Sequence, residues 1–339
     1  MKAALLYGPR DVRVEEIPPL EPQGDEALIR IRACGVCPSD VRKYAPPQPS
    51  EPLPEPRLIG HEWVGEIVEL PASGAGEFQV GDRVAVDWRV ICGTCRYCRR
   101  GAFNFCLAAE PARVRGGYAE FGCAPLSNLR RLPEQVSFAA AVFCEPLACC
   151  LNGMRRNRLD FGDTLVIIGA GPIGLMHLQL AKQRGARVVV CDLRPERLRV
   201  AEELGADEVI CPPHEDPVAR VKALTDGYGA ESVLVAVGGV EPARQALEMV
   251  DLNGTVNLFA GTYPAATFPL DPNPIHYRQL NLTGSHDFSP QDFTAALQFI
   301  ATGRVRVEPL ISHQLPLSET KRGFDLVMAR EGLKVVILC

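Results

Sequence analysis

The sequence predicts an α/β protein of two domains, one a doubly wound parallel sheet and the other rich in β-structure. Three observations carry this prediction. The chain has 339 residues, which suits two domains better than one. Its first 150 residues or so are short β-type runs broken by Gly and Pro. From about Phe138 onward, strands alternate with helical patterns, which implies a parallel sheet with helices on both faces.

In chain order, the opening run from Met1 to Pro9 reads as a short strand entering a turn. Its apolar stretch is too short for a signal peptide, and Pro9-Arg10-Asp11 interrupts it. Further strands are predicted over 27–32, 63–68 and Arg83–Val86. The Pro-rich segment 45–56 can hold neither a ladder nor a helix and reads as an exposed loop. A helical pattern begins at 139–143, and Pro146 kinks it or starts a new helix. Then come a buried strand at Thr164–Ile168, a helix over 173–184, a strand at Arg187–Cys191 and a helix over 195–204. Later strands fall at 232–237, 255–259 and near 281–283. The tail, 290–339, holds two helical patterns and a closing strand at Lys334–Leu338, and is expected to return to the first domain.

Composition narrows the function classes. Hydrophobic residues make up 47% and charged residues 23%, a balance that supports a sizeable core. A net charge of -5 provides no basic footprint for nucleic acid. No apolar run reaches the roughly 20 residues of a membrane span, so neither a membrane nor a nucleic acid is an expected partner. The 13 cysteines are odd in number and unevenly placed, which argues against a paired disulfide framework. Reduced, metal-binding and core thiols in a cytoplasmic protein explain them better.

Gly169-Ala170-Gly171-Pro172-Ile173-Gly174 spells G-x-G-x-x-G directly after the apolar strand 165–168 and directly before a helix. The next strand ends at Asp192, close to the spacing expected for an acid that reads a ribose. Gly169 allows the tight turn, Gly171 admits a pyrophosphate and Gly174 lets the helix pack on the strand. Past Pro172, the amides at the helix start, from Ile173 onward, offer N–H groups and positive dipole to phosphates. Asp192 repels a 2′-phosphate, favouring NAD over NADP, while Arg194 and Arg197 beyond it soften that preference. The alternative is a glycine turn in an α/β protein that binds no nucleotide.

Cys92, Cys95, Cys98 and Cys106 form C-x2-C-x2-C-x7-C. Four thiolates at this spacing can close a tetrahedron around zinc and leave no position for substrate, which makes the site structural. An iron–sulfur cluster or packed free thiols are the alternatives. A second set lies scattered along the chain: Cys37 in Cys34-Gly35-Val36-Cys37-Pro38-Ser39-Asp40, His61 and Glu62 in Gly60-His61-Glu62-Trp63-Val64-Gly65, and Glu145 in Glu145-Pro146-Leu147. One thiolate, one imidazole and one carboxylate make a plausible open zinc site. Spacing alone does not join these segments.

Together these motifs, in this order, resemble the zinc-containing medium-chain dehydrogenase/reductase family, above all its sorbitol (polyol) and threonine dehydrogenase branch. The resemblance spans nearly the whole chain. It implies a GroES-like catalytic domain over 1–148 plus 287–339, a structural zinc lobe at about 90–108, and a Rossmann domain over 149–286. It implies that Cys37, His61 and Glu62 hold a catalytic zinc. Glu145 matches an acid that contacts the zinc-bound water or substrate, or joins the ligands. Ser39 matches the hydroxyl that carries the alcohol proton away, and Asp40 a loop anchor that hydrogen-bonds a ligand. Cys34 matches no ligand position and reads as a packed thiol. Where the family often has a relay His, this chain has Arg42, which cannot shuttle protons near neutral pH. Arg42 and Lys43 either face an anionic or hydroxylated substrate or are solvated surface charge.

The resemblance therefore implies two zinc ions per chain, NAD as cofactor and hydride transfer from a secondary alcohol (polyol or cyclitol-like) to give a ketone. The natural place for this is a cleft where the sheet's carboxyl edge holds the cofactor. Threonine, aminocyclitol and sugar-phosphate oxidation are alternatives of the same chemistry; a non-catalytic NAD-binding protein is an alternative of a different class. The family's dimers and tetramers suggest a homo-oligomer.

Overall fold

A computed structural model describes residues 1–45, 55–72 and 74–339. Most of the loop predicted at 45–56 therefore lies outside the described residues. The chain divides into two compact units, Met1–Pro146 with Ser289–Cys339, and Leu147–Phe288. Among the described residues, no helix is long and apolar enough to cross a membrane.

The first unit is built on two sheets. In the larger, the strands run Ile311–Pro316, Lys334–Leu338, Glu26–Gly35, Glu62–Glu69, Arg83–Val86 and Leu129–Arg131, with Phe121–Pro125 also paired to Glu26–Gly35. The smaller sheet joins Asp11–Glu16, Lys2–Gly8 and Arg57–Leu58. Alternation explains the central strand. Ala27, Ile29, Ile31 and Ala33 are all fully buried, while Arg30 between them is exposed. Ile29 and Ile31 join a core with Trp63, Ile67, Tyr118 and Phe324. Gly35 ends this strand opposite Glu62 on one side and Val336 on the other. That row brings the C-terminal strand to the candidate site.

The second unit holds six parallel strands in the order Glu208–Ile210, Arg187–Cys191, Thr164–Ile168, Ala230–Val235, Val250–Leu258 and Asn281–Gly284. Numbered along the chain this is 3-2-1-4-5-6, the doubly wound order that binds dinucleotides where the order reverses. The first of these strands, TLVII, is buried along its whole length, as expected for a strand covered on both faces.

One local difference from the sequence reading, and the new helix expected at Pro146, have simple causes. The strand predicted at 255–259 begins at Val250, because Val250 pairs with Ala230 ahead of an irregularity in the register. The polar run Asp251-Leu252-Asn253-Gly254 hides this extension in the sequence. Near Pro146, the helix Phe138–Ala141, capped by Ser137, stops and a second helix starts at Cys144. Pro146 sits in its first turn, where the missing N–H costs no helical bond.

Candidate active site

The first unit gathers the scattered ligand candidates. Cys37 precedes a short helix, Pro38–Tyr44, as its N-cap. His61 lies just before the strand Glu62–Glu69, and Glu62 opens it. One ligand atom from each of Cys37, His61 and Glu62 can be chosen so that all lie within 4.8 Å of one another. Glu145, at the start of its helix, places a carboxylate oxygen 3.9 Å from His61 Nε2. Ser39 donates to the Cys37 sulfur at 3.2 Å. These five residues are thus brought together from three separate segments.

Behind them, Asp40 is buried, and its Oδ2 lies 3.3 Å from His61 Nδ1. Tyr118 donates to the same oxygen at 3.1 Å, and Lys43 Nζ lies 3.7 Å from Oδ1. The carboxylate thereby fixes the imidazole tautomer and turns Nε2 toward Glu145 and the ligand set. Burial by itself would lower the His61 pKa, but the Asp40 charge, and after it Cys37, hold it well above its ordinary value. Burial pushes the Glu145 carboxyl up to about 7 against the pull of His61, with Glu62 adding to the rise. A pocket that draws a proton onto its imidazole in this way also suits a cation, because protons and metal compete for the same ligands. Thiolate, imidazole and carboxylate are donors suited to zinc.

Sequence reasoning missed two residues here. Lys334 is buried and ion-paired with the Glu62 carboxylate. Burial opposes its charge, yet Glu62, and next Cys37, keep the ammonium protonated. Gly35 makes this pairing possible, since a Cβ there would overlap Glu62 Oε2 and press on the Lys334 stem. The available signal was a lysine inside an otherwise apolar strand, 272 positions from its partner. The second is Trp88, whose ring meets His61 edge-on at 6.1 Å. Arg42 is exposed on the outer side of its helix, as is Lys43.

The four-cysteine lobe is equally compact. Cys92 Sγ lies 3.5 Å from Cys106 Sγ and 4.0 Å from Cys98 Sγ, and all four sulfurs fall within 4.8 Å of one another. A zinc–sulfur bond of about 2.3 Å gives tetrahedral sulfur–sulfur edges of about 3.8 Å, so one ion fits. The Cys95 amide donates to Cys92 Sγ and the Cys92 amide to Cys106 Sγ. Amides from Thr94 and Cys95 bring the Cys92 thiol down to about 6, which favours the ligating thiolate.

In the second unit, Gly169 adopts φ 108°, and a Cβ on Gly174 would overlap the Gly169 carbonyl oxygen. Gly171 differs. It has φ −74°, which any residue adopts, and an added Cβ would meet nothing within 4 Å. Its lack of a side chain is not demanded by the protein's own packing, and it suits close approach of a pyrophosphate. The helix Pro172–Gln183 begins there with no side-chain cap, so its first amides are left for a ligand. Asp192 Oδ2 accepts the Ala170 amide at 2.7 Å and Oδ1 accepts that of Arg194 at 2.9 Å. Arg197 follows on the next helix, Pro195–Glu203.

One unit thus carries a doubly wound sheet with a G-x-G-x-x-G turn, and the other three side chains that could hold a metal ion. Comparison with known proteins identifies the family. Residues 23–134 match the alcohol dehydrogenase GroES-like domain, and residues 172–302 match the zinc-binding dehydrogenase domain. A sorbitol dehydrogenase of Halalkalibacterium halodurans is 33% identical over 98% of this chain and 96% of its own length. The structure of the alcohol dehydrogenase TADH from Thermus sp. ATN1 superposes with a TM-score of 0.88 at 34% identity, covering 100% of this chain and 99% of that one. A zinc-binding dehydrogenase from Sinorhizobium meliloti 1021, solved with NADP, gives a TM-score of 0.89 at 28% identity over 100% and 99%. The chain belongs to the zinc-binding dehydrogenase family, in the branch that includes sorbitol dehydrogenases.

Proposed function

We propose that this enzyme oxidises a secondary alcohol of the polyol class to a ketone, with NAD as hydride acceptor. The observation that carries the proposal is the convergence of Cys37, His61 and Glu62 within 4.8 Å, with Glu145 alongside. These residues would hold one zinc, and the four cysteines of the lobe a second. Zinc held at the first site would supply Lewis acidity toward the substrate hydroxyl.

The remaining work belongs to the chain. Ser39 would relay the proton leaving the substrate hydroxyl, accepting it as its own hydroxyl proton passes on to water. Asp40 keeps His61 in one tautomer, and Lys334 balances the charge of Glu62 so that the buried carboxylates do not repel one another. Glu145 stands where it can hold a proton or a water beside the reacting carbon. The Gly169–Gly174 turn seats the pyrophosphate, and Asp192 accepts the ribose hydroxyls and repels a 2′-phosphate, favouring NAD within the NAD(P) class. NAD held at that turn would supply the hydride acceptor.

The test is an absorbance assay for NADH across polyols, cyclitols, sugar phosphates and hydroxy amino acids. Turnover is expected on a polyol, and Cys37→Ala should abolish it while NAD binding persists. Full activity in Cys37→Ala overturns the assignment. Elemental analysis separates the enzyme, with two zinc ions per chain, from a non-catalytic NAD binder with one. A homo-oligomer in the cytoplasm completes this reading on the family resemblance, and light scattering tests the assembly.

A further inference from the structure

Tyr118 carries a hydroxyl that no step of the reaction uses. Its backbone is pinned on both sides, since its amide donates to the Ile59 carbonyl and its carbonyl accepts the Ala4 amide. The ring is fully buried and meets the Phe324 ring edge-on at 5.3 Å. It packs so closely on Gly60, the residue before His61, that a Cβ there would stand 3.1 Å from the ring. The phenol oxygen lies 3.1 Å from the Gly35 carbonyl, opposite Glu62 in the sheet, and 3.1 Å from Asp40 Oδ2, three residues after Cys37. One side chain thus reaches the segments of all three candidate ligands.

The Asp40 carboxylate is used unevenly. Its Oδ2 accepts the Tyr118 hydroxyl and lies 3.3 Å from His61 Nδ1. Its Oδ1 is buried without a hydrogen bond among the described residues, and Lys43 Nζ stands 3.7 Å from it. A carboxylate turns readily about its last bond, and Lys43 is an exposed ammonium on a flexible stem that can follow it in several poses. The phenol has no such freedom. Burial, and next the Asp40 charge, keep it protonated, so it remains a donor at one fixed point.

We infer that Tyr118 is a positioning residue whose hydroxyl holds the Asp40 carboxylate against His61 and so fixes the imidazole among the candidate zinc ligands. It acts through Asp40 and touches neither metal nor substrate. Without the hydroxyl, Asp40 is free to turn toward Lys43, and His61 loses the partner that sets its tautomer and orientation. This inference rests on the zinc-dependent function proposed above.

The test measures zinc affinity by chelator competition in wild type, Tyr118→Phe, Asp40→Ala and the double variant. Tyr118→Phe keeps the ring against Phe324 and removes one oxygen. Its affinity at the Cys37, His61 and Glu62 site should fall roughly tenfold, as for the loss of an outer-shell partner. The zinc of the four-cysteine lobe should be retained, which reports that the unit is folded. The double variant is decisive. Once Asp40 is gone, Tyr118→Phe should change the affinity by less than about twofold, because nothing is left for the hydroxyl to position. Unchanged affinity in Tyr118→Phe overturns the inference while leaving the zinc site intact. So does a loss as large in the Asp40→Ala background as in wild type, or loss of both zinc ions from Tyr118→Phe, since either marks a purely structural role. Wild type that binds the lobe zinc alone removes both this inference and the function on which it rests.

Discussion

Acid should weaken the Leu147–Phe288 unit through one buried imidazole. His177 lies on the helix Pro172–Gln183, is fully buried, and meets the Phe259 ring edge-on at 4.8 Å. Neither of its ring nitrogens has a hydrogen-bond partner among the described residues. Burial brings its pKa from 6.5 down to about 3. Between those values the unfolded chain carries a proton that the folded one refuses, so stability is complete above 6.5 and falls as the pH drops below it. At pH 5, about 1.5 units under the unfolded value, each unit costs about 1.4 kcal/mol, giving a loss of about 2 kcal/mol from this residue alone. Any folded pKa well below 5 gives the same figure. His177→Met fills similar space with an apolar, adaptable side chain and cannot be protonated. Native-state hydrogen exchange of amides in Thr164–Ile168, measured at pH 8 and pH 5, reports the opening free energy of this unit. Wild type should lose about 2 kcal/mol more than the variant between the two conditions. Equal losses would refute the reasoning.

Three further outcomes follow from the geometry. Asp40→Asn removes the carboxylate behind His61, and zinc affinity at that site or kcat/KM should fall roughly 10- to 100-fold; chelator competition showing unchanged affinity, together with unchanged kinetics, would contradict this. Gly174→Ala forces a Cβ against the Gly169 carbonyl oxygen. Overpacking of this kind typically costs about 1–3 kcal/mol, and opening the turn should weaken NADH binding by roughly tenfold or more, read by fluorescence titration. Cys98→Ser breaks the sulfur tetrahedron of the lobe, so zinc content should drop from two ions per chain to one, and retention of both would count against the structural site.

Much of the fold was legible because its signals are local. Thr164–Ile168 and Arg187–Cys191 are apolar runs bounded by turns, and the strands occupy those residues. The glycine turn between strand and helix carries its own chemistry, since Gly169 and Gly174 answer to constraints within six residues. The strand from Val250 was harder to see. Its first half is polar and is recruited by pairing with Ala230, a tertiary contact. The four cysteines were readable as a ligand set because all lie within 15 residues of chain.

By itself the sequence determined the residue types that metal and nucleotide chemistry require, and their order was enough to point to the family. Only the tertiary structure decided how those residues meet. A row of sheet pairing sets Glu62 and the C-terminal strand on either side of Gly35, and no spacing rule announces that Lys334 belongs with Glu62. The same holds for Asp40 behind His61 and for the indole of Trp88 before it. Hydrophobic periodicity is written over a few residues, whereas the field at a buried carboxylate is set by whatever side chains the fold brings within a few ångströms, however distant they are along the chain.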